Sequence, residues 1–243
     1  DIDNDDKIIK KKYSYLPSKK DYDLIKSSIL FENEHYFVLN KPYNLAVQSG
    51  TKTGKNIFDI LKNFKETEYL TPHLVHRLDA ETTGILIISK TYKSAKFFSE
   101  HFKNQTIKKS YLAIVEGVFE NKKGTLKNEL AYIENNKEKI HLSITNYKVI
   151  SETKDYTLLI LNPETGRKHQ LRRQLSFIKH PILGEKKYTN KSLNKSKELH
   201  LMLHAYKVEF SLNNKKITHQ VDPSLYFKDF CKEQKLIYEL NNL

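Results

Sequence analysis

The residues that could do chemistry crowd onto two turns. One runs His76-Arg77-Leu78-Asp79, continues through Ala80-Glu81-Thr82-Thr83-Gly84, and ends in the apolar run Ile85-Leu86-Ile87-Ile88. An arginine beside a carboxylate favours the acid's charged form, and an ionised aspartate in a partly enclosed site can act as nucleophile or base. The second turn, Thr165-Gly166, opens the basic stretch Arg167-Lys168-His169-Gln170-Leu171-Arg172-Arg173. Taken alone, an aspartate ahead of a strand is a cap or turn former. Spacing by itself does not say that Arg172 faces Asp79.

Histidine offers a rival chemistry. His73 and His76 are three apart and would need a helix to chelate one ion, yet Pro72 and a turn precede and follow them. His200 and His204, four apart on a strand, would lie roughly 13 Å from each other. Neither pair suits a metal. With one cysteine, Cys231, among 243 residues, there is neither a disulfide framework nor a cysteine zinc site, and a reducing, cytoplasmic compartment fits. No apolar run approaches the roughly 20 residues of a membrane helix. The 42 lysines and arginines outnumber the 29 acids, giving a net charge of +13, which favours polyanions and makes nucleic acid the expected partner.

The elements that must position these turns alternate between strand and helix patterns. Ile29-Leu30-Phe31 and Tyr36-Phe37-Val38-Leu39 suggest an antiparallel hairpin ended by Lys41-Pro42. Ile57, Ile60, Leu61 and Phe64 recur at helical spacing and predict a helix over 56–65; Tyr92, Ala95, Phe98 and Phe102 predict another, with its aromatic stripe in the core. Ser110 to Glu116 reads as a strand. Ile140, Leu142 and Ile144 share one face of a strand and Tyr147 and Val149 the other, so a bulge is expected between them. Tyr156 to Leu161 is a further strand, Arg167 to Lys179 a helix, and Leu199, Leu201 and Leu203 one greasy face of a last strand that Val208 and Phe210 continue. Residues 1–27 run from acidic to basic with scattered aliphatics and read as a linker or arm, leaving 28–243 as the globular domain. Many hairpin-like strands and few helices predict an α+β fold with a largely antiparallel sheet.

Six segments, in order, resemble the RluA family of pseudouridine synthases. They are Leu39-Asn40-Lys41-Pro42, the His76–Gly84 stretch, Lys109-Ser110-Tyr111-Leu112-Ala113 with Gly117, Thr165-Gly166-Arg167-Lys168-His169-Gln170-Leu171-Arg172, His180-Pro181-Ile182-Leu183-Gly184, and Leu203-His204-Ala205. The resemblance implies the family fold: a mixed, largely antiparallel sheet with flanking helices and a central RNA-binding cleft. It implies that Asp79 is the catalytic aspartate and that Tyr111 lies against the target base. By the same resemblance Arg172 pairs with Asp79, Arg77 enters the RNA where the base has left, and Leu203 floors the pocket. No cofactor and no metal are implied. The partner is RNA, most like the branch acting on large-subunit ribosomal RNA, with transfer RNA as the alternative and a non-catalytic RNA-binding module as the reading of a different class. The expected protein is a cytoplasmic monomer whose 1–27 arm follows an amino-terminal S4 domain. Departures from the family pattern are Asn44, Gln48, Thr83, Glu185 after Gly184, and the lack of a glycine after Tyr188.

Overall fold

A computed structural model describes residues 15–49, 54–63, 72–134, 137–189 and 199–238. Its spine is a ten-stranded sheet. The strands along the main path are, in spatial order, β1 (Ile29–Glu32), β2 (Tyr36–Lys41), β4 (Thr83–Ser89), β9 (Leu203–Leu212), β5 (Lys108–Glu116), β8 (Tyr156–Pro163), β7 (Lys137–Glu152) and β6 (Lys123–Glu134). β3 (His73–Leu74) pairs with β4 and β10 (Lys215–Gln220) with β9. Among the described residues five helices flank it: α1 (Lys19–Ser27), α2 (Ile57–Lys62), α3 (Tyr92–Lys103), α4 (Gln170–Phe177) and α5 (Leu225–Glu233). The expected α+β architecture with a largely antiparallel sheet is the one observed. Among the described strand pairs, β4 with β9 is the parallel one, through Thr83↔His204 and Gly84↔Ala205.

β4 reads as a continuous apolar run from Ile85 to Ile88. All seven of its residues are buried, because both sheet faces are covered there. Leu86 and Ile88 join Phe37 and Leu39 under α1 and α2, while Ile85 and Ile87 join Tyr36, Val38 and Phe98 under α3. At the head of the strand, Gly84 has φ +104°, and a Cβ there would collide with the Ala205 carbonyl oxygen. Only glycine lets the backbones of β4 and β9 approach so closely. A third core, built by β5, β8 and the irregular 199–202 segment, is sealed by α4 and α5.

Several expectations need correction. The described part of the supposed arm, 15–27, is folded: α1 buries Ile25, and Asp21 is buried between Tyr15, Ser18 and Lys55. Those hydrogen bonds and the Lys55 ion pair hold the Asp21 carboxyl well below the usual range against the opposing effect of burial. Residues 1–14 and 64–65 lie outside the described residues. The face of β7 that carries Ile140 and Leu142 points outward, both residues being exposed, while Ser143 and Thr145 on the other face are fully buried. The reason lies in α4. Thr145 donates to Gln174 Oε1 at 2.7 Å, and Gln174 Nε2 donates to the Leu126 and Ser143 carbonyls at 3.1 and 3.0 Å. A satisfied amide makes a polar strand face the buried one. The irregularity in β7 falls between Val149 and Ser151, further along than expected. Residues 199–202 are not strand; the regular part of β9 starts at Leu203. The stripe on α3 splits: Phe98 is core, Tyr92 is exposed, and Phe102 stacks on His76 at 4.4 Å.

Candidate active site

The chain from His76 to Thr83 joins β3 to β4, and its geometry is fixed from three sides. Leu78 is buried in the core beneath α2. The Asp79–Thr82 turn is closed by Thr82 N–H donating to the Asp79 carbonyl at 3.1 Å. Lys41, fully buried, donates through Nζ to the carbonyls of Pro42, Leu45 and Ala80 at 2.8, 2.9 and 2.8 Å. Three acceptors match the three donors of an ammonium, so the Lys-Pro motif acts as a bolt across the turn that presents Asp79. Burial pushes the Lys41 amine down to about 7, with the Asp79 charge opposing that shift. Upstream, His76 Nε2 accepts from the Ile87 N–H at 2.8 Å. That role requires a neutral ring, and burial, followed by the charge of Lys109, holds His76 down to about 3.

The opposing wall is the entry to α4. The Ile144 N–H donates to Thr165 Oγ1, which in turn donates to Gln170 Oε1 at 2.7 Å; the same oxygen accepts from the Arg167 N–H at 3.0 Å. Gln170 therefore ties the Thr165–Arg167 turn to the helix. The helix starts at Gln170 rather than Arg167, because His169 takes the left-handed conformation at φ 54°. That turn swings the imidazole towards Asp79. His169 Nε2 lies 3.3 Å from Asp79 Oδ1, and Arg172 Nη1 lies 3.6 Å from Oδ2.

Arg172 is almost wholly buried, and Asp79 is the most distant of its three carboxylates. Glu185 grips it with two short bonds, Nε to Oε2 at 2.6 Å and Nη2 to Oε1 at 2.8 Å, and Glu81 Oε2 lies 3.2 Å from Nη2. These acids, Glu185 first, raise Arg172 further above its ordinary range despite its burial, and Arg172 holds the buried Glu185 carboxyl down against burial's upward push. Gly184, at φ +79° with its Cα pressed against the His200 backbone, sets the turn that delivers Glu185.

Asp79, Tyr111, Arg172 and Leu203 line one cleft with a volume of about 330 Å³, and Arg77 stands exposed at its mouth beside Arg167 and Lys168. All five residues singled out from the sequence are thus brought together. The volume lies within the range of small-molecule pockets. Burial, then the Asp79 charge, pushes the Tyr111 phenol well above its usual range, so it stays a neutral O–H. His169, Glu81, Lys41 and Glu185 also shape the site, although the sequence assigns none of them a role there. Their signal was weak: His169 and Glu81 lie within three residues of Arg172 and Asp79, Lys41 and Glu185 lie much further along the chain, and only the fold turns all four towards the site.

The rival histidines are accounted for. His204 sits in the core, with Nδ1 2.8 Å from Thr83 Oγ1 and Nε2 2.9 Å from the Val221 carbonyl. His200 stacks on Tyr43 at 4.0 Å. Among the described residues no three histidine, cysteine, aspartate or glutamate side chains converge on a metal site, and no helix is long and apolar enough to cross a membrane.

With this geometry in hand, comparison with known proteins is decisive. Residues 35–177 match the family model described as RNA pseudouridylate synthase. The chain belongs to that family. It is 30% identical over 237 residues to ribosomal large subunit pseudouridine synthase D of Borreliella burgdorferi, covering 89% of this chain and 72% of that protein. It is 34% identical over 194 residues to ribosomal large subunit pseudouridine synthase C of Rickettsia prowazekii, covering 75% of this chain and 63% of the relative. Among solved structures, human RNA pseudouridylate synthase domain containing 4 superposes with a TM-score of 0.77 at 25% identity, over 89% of this chain and 96% of that one. As a family member the protein is an isomerase that converts uridine to pseudouridine in RNA.

Proposed function

We propose that the cleft isomerises uridines of large-subunit ribosomal RNA, with Asp79 as the reacting group. The observation that carries the reading is the Asp79 carboxylate itself, turned into an enclosed cleft between Arg172 and His169 and facing Tyr111. Asp79 opens the reaction at the ribose, as nucleophile at C1′ or as base, so that uracil leaves its N1–C1′ bond and turns; C5 then bonds to C1′, releasing Asp79 if it was attached there, and the C5 proton is lost to solvent. Such chemistry cannot take place inside a base stack, so the uridine must be extruded at a cost of a few kcal/mol. Exposed Arg77, at the mouth, fills the vacated space and offsets part of that cost. Tyr111 supplies an aromatic face with a polar tip against the base, and buried Leu203 keeps the floor apolar and dry. The net charge of +13 supports a polyanionic partner, and the relatives' names point to the large subunit. The enzyme works as a cytoplasmic monomer.

The test is tritium release from RNA labelled at uridine C5. Asp79→Asn should fold and bind RNA normally while release stops; normal release would overturn the assignment of Asp79. Mapping pseudouridines in total RNA with and without the gene identifies the substrate. Loss confined to transfer RNA would overturn the ribosomal reading.

A further inference from the structure

The turn that follows Gly184 reaches the Asp79 carboxylate by two routes without touching it. Along the first, Glu185 grips Arg172, whose Nη1 faces Asp79 Oδ2. Along the second, the Tyr188 hydroxyl lies 2.5 Å from His169 Nδ1, and His169 Nε2 faces Asp79 Oδ1. The two routes are mechanically one, because Glu185 Oε1 also accepts from the Lys187 and Tyr188 N–H groups at 2.8 and 3.3 Å. The carboxylate that holds the arginine therefore also shapes the turn that carries the tyrosine. We propose that the Glu185–Tyr188 turn is a clasp that sets the rotation of the Asp79 carboxylate, with Tyr188 a positioning residue acting through His169 and Glu185 one acting through Arg172. The proposal rests on Asp79 being the reacting group.

The direction of the hydrogen bond follows from the surroundings. The Tyr188 ring has Lys187 Nζ 5.4 Å and the Arg172 and Arg173 guanidinia 5.8 and 5.9 Å from its centroid, and burial keeps its phenol protonated. Burial likewise keeps the His169 ring neutral against the pull of Asp79. The Asp79 carboxylate can only accept, so the single proton of the neutral ring sits on Nε2, facing Oδ1, and Nδ1 accepts from the Tyr188 O–H. One carboxylate oxygen faces a neutral N–H and the other a cation, so the two are not equivalent. Oδ2, the further of the two from its neighbour at 3.6 Å, is the oxygen turned to react. The left-handed backbone of His169 (φ 54°), a conformation that histidine adopts more readily than most side chains, puts the ring in this place.

The experiment measures kcat and KM for pseudouridine formation in the wild type, Tyr188→Phe, His169→Asn and the double variant, with Asp79→Asn alongside. Asparagine tolerates the left-handed backbone, and Tyr188 is partly exposed, so both single variants should fold. Tyr188→Phe should lower kcat about 5- to 10-fold, the worth of one hydrogen bond, with KM unchanged. His169→Asn should lower kcat about 10- to 100-fold, as loss of an orienting contact does. The double variant should be no slower than His169→Asn. Multiplied effects, a change confined to KM, or wild-type kcat in Tyr188→Phe would overturn the clasp while leaving Asp79 in place. Activity in Asp79→Asn would instead overturn the reading beneath it.

Discussion

Glu185→Gln isolates the strongest electrostatic contact in the site. The substitution keeps the volume and one carbonyl oxygen, which can still accept from Lys187 N–H, Tyr188 N–H and Arg172 Nη2. It then turns an amide N–H towards Arg172 Nε, where the wild type has a 2.6 Å bond. A donor faces a donor in a place with no access to water, since Glu185 is 0% exposed and Arg172 only 4%. Removing one partner of a buried ion pair costs about 3–5 kcal/mol. Arg172 keeps Glu81 at 3.2 Å and Asp79 at 3.6 Å, so the lower end, about 3 kcal/mol, applies. At roughly 2–4 °C per kcal/mol for a chain of this size, the melting temperature should fall by about 6–12 °C. Urea unfolding followed by circular dichroism gives the free energy directly. The double change Glu185→Leu with Arg172→Leu should recover part of the loss, because it removes both charges together. A Glu185→Gln protein melting within about a degree of wild type would refute the argument that this fork holds Arg172.

Other outcomes follow from the same physics. His76 and His204 are held neutral in the fold, down to about 3 and about 4; a group with a depressed folded pKa that is uncharged above it makes the unfolded state the better proton binder. Their contribution is complete above the unfolded value near 6.5 and is lost as pH falls from there towards 4, at up to about 1.4 kcal/mol per pH unit for each. Urea midpoints at pH 7 and pH 5 should show the decline, and a flat profile would contradict it. Lys41→Met should cost about 2–4 kcal/mol by orphaning three carbonyls, and should lower kcat even well below the melting temperature, since the Ala80 carbonyl loses its anchor beside Asp79. Gly84→Ala forces a positive φ and a collision with Ala205, so a loss of about 3 kcal/mol or more in an unfolding experiment is expected. RNA affinity should fall steeply as salt rises, and a salt-independent dissociation constant would show that the basic mouth does not dock the RNA.

The sequence by itself singled out Asp79, Tyr111, Arg172 and Leu203 only because the motifs around them resemble those of the RluA family; residue type and spacing alone left Asp79 a turn residue. β4 was legible because burial on both faces writes itself as an unbroken apolar run. The α+β class followed from strand and helix spacing for the same reason, that periodicity is a local property. Tertiary structure decided what local pattern could not. The inward face of β7 is polar because Gln174, on another element 29 residues away from Thr145, satisfies it. α1 belongs to the domain because Asp21 finds Lys55 across the fold. Glu185, a mere departure from a pattern in one dimension, becomes the tightest partner of Arg172, and His169 becomes the neighbour of Asp79 through a single left-handed residue. Buried charges and buried amides are stable only where a distant partner meets them, and the identity of that partner is a fact of three dimensions.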